Sequence, residues 1–101
     1  MEKLFKYQIY KIVNMLSGKM YVGQHKVRKN EGPRTYMGKG IALIDAYKKY
    51  GIQNFQKIII EEIEDTEKHD YVSEREKYWI KTLNTLIPNG YNISEGGERY
   101  Y

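Results

Sequence analysis

A small mixed α+β domain, a sheet covered by helices, is what these 101 residues predict. Three observations carry the prediction. Three runs rich in aromatic and β-branched residues read as strands. Two stretches with apolar residues at helical spacing read as helices. Turn residues separate these elements in the order strand, strand, helix, strand, helix, which is the pattern of one α+β unit. No repeat, low-complexity tract or linker divides the chain, so residues 1–101 are expected to form a single domain with one modest core.

The first strand is Tyr7 to Val13 (YQIYKIV), and the second is Lys19 to Gly23 (KMYVG). Ser17-Gly18 between them is a turn signal, so the two should pair as an antiparallel hairpin. A polar loop is expected from His25 to Gly40, because that stretch holds Gly, Pro and clustered charges. Ile41 to Tyr50 (IALIDAYKKY) has helical composition, and Gly51 is well placed just past its end. Phe55 to Ile63 (FQKIIIEEI) reads as the third strand. Asp65-Thr66 is a plausible cap for a helical segment reaching Leu83. Pro88-Asn89-Gly90 forms a turn, and Tyr91-Asn92-Ile93 resumes a short ordered segment.

Composition excludes several chemistries. There is no cysteine, so disulfides, thiolate catalysis and cysteine-ligated zinc are out. No run of about 18 apolar residues could span a membrane. The first ten residues lack the apolar core and cleavage site of a signal peptide, so an intracellular location is expected. The formal charge of +4 and the pI near 9.2 suit a polyanionic partner, though mildly. Clustering is more informative than the sum: Lys26, Arg28, Lys29, Arg34 and Lys39 fall within the expected loop, where cations could meet phosphates. The same charges would also suit a solvated loop. Eleven tyrosines serve core, interface and catalysis equally well, so only their positions can discriminate.

One carboxylate falls on the wrong face of its helix. At about 100° per residue, Glu76 lies about 40° from Val72, between Leu83 at about 20° and Ile80 at about 80°. Glu74, Lys77 and Lys81 point elsewhere, as solvated charges should. A glutamate on the core side costs several kcal/mol unless it is paired or binds a cation. Three readings fit: a functional carboxylate, the reciprocal member of a capping box Ser73-Glu74-Arg75-Glu76, or the partner of an internal arginine.

These residues resemble the GIY-YIG nuclease family, in the manner of phage homing endonuclease catalytic domains. The name motif appears as Gln8-Ile9-Tyr10 and Met20-Tyr21-Val22-Gly23, with Tyr21 eleven positions after Tyr10. Arg75-Glu76-Lys77-Tyr78-Trp79-Ile80 resembles the helix that carries the family's metal-binding glutamate, and Gly90-Tyr91-Asn92-Ile93 resembles its asparagine motif. Tyr36-Met37-Gly38-Lys39-Gly40 and the early His25 look like a phage-type subgroup. The match covers nearly the whole chain in order. Two positions depart: Gln8 replaces the motif's glycine, and Glu31 stands where familiar homing enzymes place an arginine.

The resemblance implies a three-stranded antiparallel sheet flanked by helices and a metal-dependent DNA endonuclease. It implies Glu76 as the single protein ligand of Mg2+ or Mn2+, since magnesium is commonly held by one or two carboxylates plus waters and substrate oxygens. Tyr10 would be the general base or water-positioning group, and Tyr21 would assist by hydrogen bonding. His25 would lend positive charge or take the proton, while Asn92 would brace the site. Lys26, Arg28, Arg34 and Lys39 are the candidate phosphate-binding cations. Two other readings compete: a non-catalytic nucleic-acid-binding module using the 25–40 loop, and an interaction domain with a tyrosine contact surface.

Overall fold

The computed structural model describes residues 5–28, 36–38, 40–64 and 69–96. Strand β1 (Phe5–Asn14) is the centre of a three-stranded sheet, flanked by β2 (Met20–Arg28) and β3 (Phe55–Glu64), both antiparallel to it. Helix α1 (Ile41–Tyr50) and helix α2 (His69–Leu83) cover the two faces. The element order and the antiparallel sheet are those the sequence predicts.

Alternation along β1 explains why both faces need a helix. Tyr7 and Ile9 point one way and pack with Val22, Ile63, Val72 and Ile80 beneath α2, on the α2 face of the sheet. Tyr10 and Ile12 point the other way and pack with Leu43, Ala46, Phe55 and Tyr91 beneath α1, on the α1 face. A strand apolar on both sides is buried on both sides.

The β1–β3 ladder carries one irregularity, between Ile9 and Tyr10, where the register skips Ile60. A bulge adds a residue to one strand and re-aims the side chains beyond it. Before it, Lys57 and Ile59 oppose Ile12 and Tyr10 on the α1 face; after it, Glu61 and Ile63 oppose Ile9 and Tyr7 on the α2 face. Glu61 thereby meets Arg75, whose Nη2 donates to Glu61 Oε2 at 2.7 Å and whose Nε donates at 2.9 Å. Trp79 Nε1 donates to the same carboxylate, and together these contacts fix α2 against the sheet.

Strand β2 is longer than the sequence suggests. It runs to Arg28, so His25, Lys26 and Arg28 belong to the sheet and not to a loop. The physical reason lies across the ladder. Phe5 and Tyr7 pair with Arg28 and Lys26, whose cationic heads cap the rings: Lys26 Nζ lies 4.7 Å from the Phe5 centroid and Arg28 Cζ lies 5.5 Å from it. Charged residues on an edge strand pack their stems and keep their heads in water. Their charges made a strand look like a loop.

The capping-box reading of Glu76 also fails. Helix α2 is already formed at His69, so Ser73 sits inside it and cannot cap it. The proposed cap at Asp65-Thr66 lies outside the described residues, as do Arg34 and Lys39. Helix α1 has the predicted bounds, and the Gly51 N–H closes it on the Tyr47 carbonyl at 2.9 Å.

Candidate active site

The hairpin register sets the tyrosines. Tyr10 opposes Gly23 and Tyr21 opposes Ile12, so both phenols project from the α1 face. Their ring centroids are 6.3 Å apart. Gly23 is what lets them lean together. A Cβ there would lie 2.5 Å from Tyr10 Oη, 2.7 Å from Tyr10 Cζ and 3.0 Å from Tyr21 Cε1. The glycine of the second motif is therefore a packing requirement of the tyrosine pair.

From above, the segment before α1 closes on the same rings. A Cβ on Gly38 would come within 3.0 Å of Tyr10 Oη, and one on Gly40 within 2.8 Å of Tyr21 Cε2. Tyr36, in this segment, meets Tyr10 edge-on at 6.1 Å and hydrogen-bonds it. It also stacks on His25, with centroids 4.1 Å apart and planes within 14°. His25 thus reaches the tyrosine pair through Tyr36. Sequence reasoning places Tyr36 in a motif but gives it no role, because only its position distinguishes it among eleven tyrosines.

Glu76 comes from the opposite face, around the β2 edge. It is half-buried, and Gln24 Nε2 donates to Glu76 Oε1 at 3.4 Å. Arg75 turns away to Glu61, so the internal arginine engages a different carboxylate. Gly96 closes the far side of Glu76: with φ at +90°, it holds a backbone that L side chains rarely adopt, and a Cβ there would lie 3.1 Å from Glu76 Oε1.

Asn92 seals the strand edge between these two faces. Its Oδ1 accepts the Val22 N–H at 2.8 Å and the Thr85 hydroxyl at 2.6 Å, while its Nδ2 donates to the Val22 carbonyl at 2.9 Å. The carboxamide replaces a neighbouring strand for one residue of β2. The adjacent chain is drawn tight as well: Tyr91 N–H donates to the Met20 carbonyl at 2.9 Å, and a Cβ on Gly90 would lie 2.5 Å from that same oxygen. Three hydrogen bonds, two accepted by Oδ1 and one donated by Nδ2, hold the Asn92 carboxamide as a brace of this edge.

The result is a cleft of about 320 Å³ lined by Tyr10, Tyr21, Tyr36, Gln24, Glu76 and Asn92. Its electrostatics follow from burial. Tyr10 is 1 % exposed. Burial above all, then Tyr21, Tyr36 and Glu76, pushes its phenol far above the ordinary tyrosine range. Tyr47, beneath Tyr21, is pushed up to about 12, again mainly by burial. Of the candidate phosphate-binding cations, Lys26 and Arg28 lie on β2 on the α2 face, in line with Gln24. Gln8 sits opposite His25 and hydrogen-bonds Glu62, so the side chain that replaces the motif's glycine points along the sheet.

Two phenols and a carboxylate gathered around one braced strand edge define a class of protein: a small domain that presents a polar cleft at the edge of its sheet. The comparisons with known proteins identify it. The model of the GIY-YIG catalytic domain family matches residues 6–92. In Enterobacteria phage T4, putative endonuclease segB is 38% identical over 92 residues, covering 91% of this chain and 39% of that protein. Intron-associated endonuclease 1 of the same phage is 40% identical over 93 residues, covering 86% and 36%. The solved catalytic domain of homing endonuclease I-TevI aligns with a TM-score of 0.62 at 34% identity, covering 87% of this chain and 98% of that one. A mutant form of that domain gives a TM-score of 0.65 at 31% identity, covering 89% and 95%.

This chain belongs to the GIY-YIG family and has the fold of its catalytic domain. It spans about two fifths of the length of the curated relatives it matches.

Proposed function

We propose that the chain is a metal-dependent DNA endonuclease domain that hydrolyses phosphodiester bonds at the Tyr10–Tyr21–Glu76 cleft. The convergence of two strand tyrosines and one core-side glutamate on that cleft carries the reading. The same proposal treats the 101 residues as one catalytic domain and places its action inside a phage-infected cell.

The donor set suits a hard, hydrated cation. Among the described residues no group of three His, Cys, Asp or Glu side chains gathers to hold a metal, which argues against a protein-caged zinc. A lone carboxylate beside an open cleft is the arrangement magnesium uses with substrate oxygens. Glu76 would hold Mg2+ or Mn2+, with Gln24 orienting the carboxylate and Gly96 leaving space beside it. When bound, such an ion supplies charge for the scissile phosphate and for the leaving 3′ oxygen.

The protein's own residues supply the rest. Tyr10 stays a neutral phenol at neutral pH, because burial disfavours the phenolate, so we assign it to positioning the attacking water by hydrogen bonding. Tyr21, less buried and beside it, shares that task. His25 is the group we assign to take the proton as water adds to phosphorus and the bond to the 3′ oxygen breaks. Tyr36 carries His25 to the pair by stacking. Lys26 and Arg28 offer a row of cations along β2 for flanking phosphates.

The experiment is nicking of supercoiled plasmid by the parent chain with Mg2+, with and without EDTA. Chelator-sensitive nicking supports the nuclease. Salt-sensitive DNA binding without cleavage would favour the non-catalytic binding module instead, and neither binding nor cleavage would favour the interaction domain.

A further inference from the structure

Lys57 is the anomaly of β3. It sits opposite Ile12 on the α1 face, between Phe55 and Ile59 in register, where the neighbouring side chains form the tyrosine-bearing core. It is half-buried, and burial alone holds its ammonium below the ordinary lysine range. A lysine with no task would snorkel to water at little cost. This one ends on aromatic faces: Nζ lies 4.9 Å from the Tyr10 centroid and 5.6 Å from that of Tyr36. Both distances fall within the roughly 6 Å reach of a cation–π contact. Elsewhere on β3, Glu61 pairs with Arg75 and Glu62 with Lys6.

We propose that Lys57 is a positioning residue of the active site, a cation that fixes the Tyr10 and Tyr36 rings and steadies the partial negative charge the neutral Tyr10 phenol gains as it hydrogen-bonds the water. The proposal rests on the nuclease reading. Three parts of the fold converge to make it possible. The β3 bulge keeps Lys57 on the α1 face while sending Glu61 to the other, so the ammonium and the nearest β3 carboxylate are separated by the sheet. Gly23, lacking a Cβ, lets the Tyr10 phenol lie against β2, with Lys57 Nζ over its ring from the β3 side. Tyr36 meets Tyr10 edge-on and stacks on His25. Lys57, Tyr10, Tyr36 and His25 form one contiguous chain of ring contacts.

The chemistry needs such a cation. Every charged or ionisable group acting on the Tyr10 oxygen from β2, α2 and the segment before α1 (Tyr21, Glu76 and Tyr36) opposes negative charge on it. Lys57 contacts the ring, so its pull acts on the π system, and that attraction strengthens when the Tyr10 O–H donates a hydrogen bond, because the oxygen and ring then gain electron density. Its role is exerted through Tyr10 and Tyr36, without contact to substrate.

Two measurements test this. In NMR spectra of the parent, the Lys57 ε-methylene protons should be shifted upfield by the two rings, and Tyr36→Leu should relax the shift; methylene protons at ordinary lysine positions would overturn the proposal. In Mg2+-dependent nicking of supercoiled plasmid, Lys57→Met should lower kcat by about tenfold or more with little change in KM or melting temperature. Lys57→Arg, which keeps a cation that stacks on rings, should recover most of the rate. A Lys57→Met variant that nicks as fast as an active parent, or an arginine variant no better than methionine, overturns the lysine's role alone. A parent that leaves the plasmid intact overturns the nuclease reading, and this assignment with it.

Discussion

Replacing Gly23 by alanine tests how the tyrosine pair is built. The new methyl group would lie 2.5 Å from Tyr10 Oη, 2.7 Å from Tyr10 Cζ and 3.0 Å from Tyr21 Cε1. Carbon–carbon contacts are comfortable at roughly 3.5–4.0 Å, so the Tyr10 phenol must retreat by about an ångström and the Tyr21 ring by about half that. Tyr10 is 1 % exposed and is packed against Tyr21, Tyr36 and Lys57, so its movement disturbs each of them. Overpacking of this kind costs about 1–3 kcal/mol, which in a domain this size lowers the melting temperature by about 4–8 °C per kcal/mol. A misplacement of about 1 Å in a reacting group can cost about 100-fold in rate. The assay is a thermal melt paired with plasmid nicking for Gly23→Ala, Tyr10→Phe and the double variant. Removing Oη relieves the shortest contact, so the double variant should melt above the sum of the single losses. Parent-like melting and nicking by Gly23→Ala would refute the packing argument.

Two further perturbations address the bracing of the cleft. Asn92→Ala strips partners from the Val22 N–H, the Val22 carbonyl and the Thr85 hydroxyl, which are buried, and should cost about 2–4 kcal/mol in denaturant unfolding because each orphaned group carries a desolvation penalty. The Glu61 carboxyl is held below its ordinary range, first by the Arg75 hydrogen bonds, which outweigh the opposing effect of burial, and to a smaller extent by Trp79. A depressed folded-state pKa gives stability that is complete above the unfolded value, about 4.3 for glutamate, and that is lost as pH falls through the folded value. Melting temperature should therefore drop as pH falls below about 4, and it should drop less steeply in Glu61→Gln.

Much of this was legible because periodicity reports which face a side chain takes. The helix bounds of α1, the hairpin and the core-side direction of Glu76 all follow from spacing, and the family motifs then tied Tyr10, Tyr21, Glu76 and Asn92 to one site. Spacing does not show pairing. Lys26 and Arg28 looked like loop residues because their charge hides a strand whose opposite members are aromatic. Nothing in the sequence singles out Lys57, whose ring partners Tyr10 and Tyr36 are distant in the chain, and no local signal marks the bulge that turns Glu61 to the other face. Tyr36 and Gln24 acquire meaning only through partners distant in sequence, His25 and Tyr10 for one and Glu76 for the other. Gly23 is the converse case: its place in a motif was plain, but its reason needed the two phenols on either side of the missing Cβ.

Glu76 bears the central claim, because it joins the fold, the cleft and the chemistry in one side chain. The direct measurement compares the parent with Glu76→Ala on supercoiled plasmid across a Mg2+ titration, with DNA affinity followed in parallel by gel shift. The account predicts nicking that saturates with Mg2+ in the parent, a loss of about 100-fold or more in Glu76→Ala, and nearly equal DNA affinity for both. Equal nicking by the two proteins at every Mg2+ concentration would contradict it.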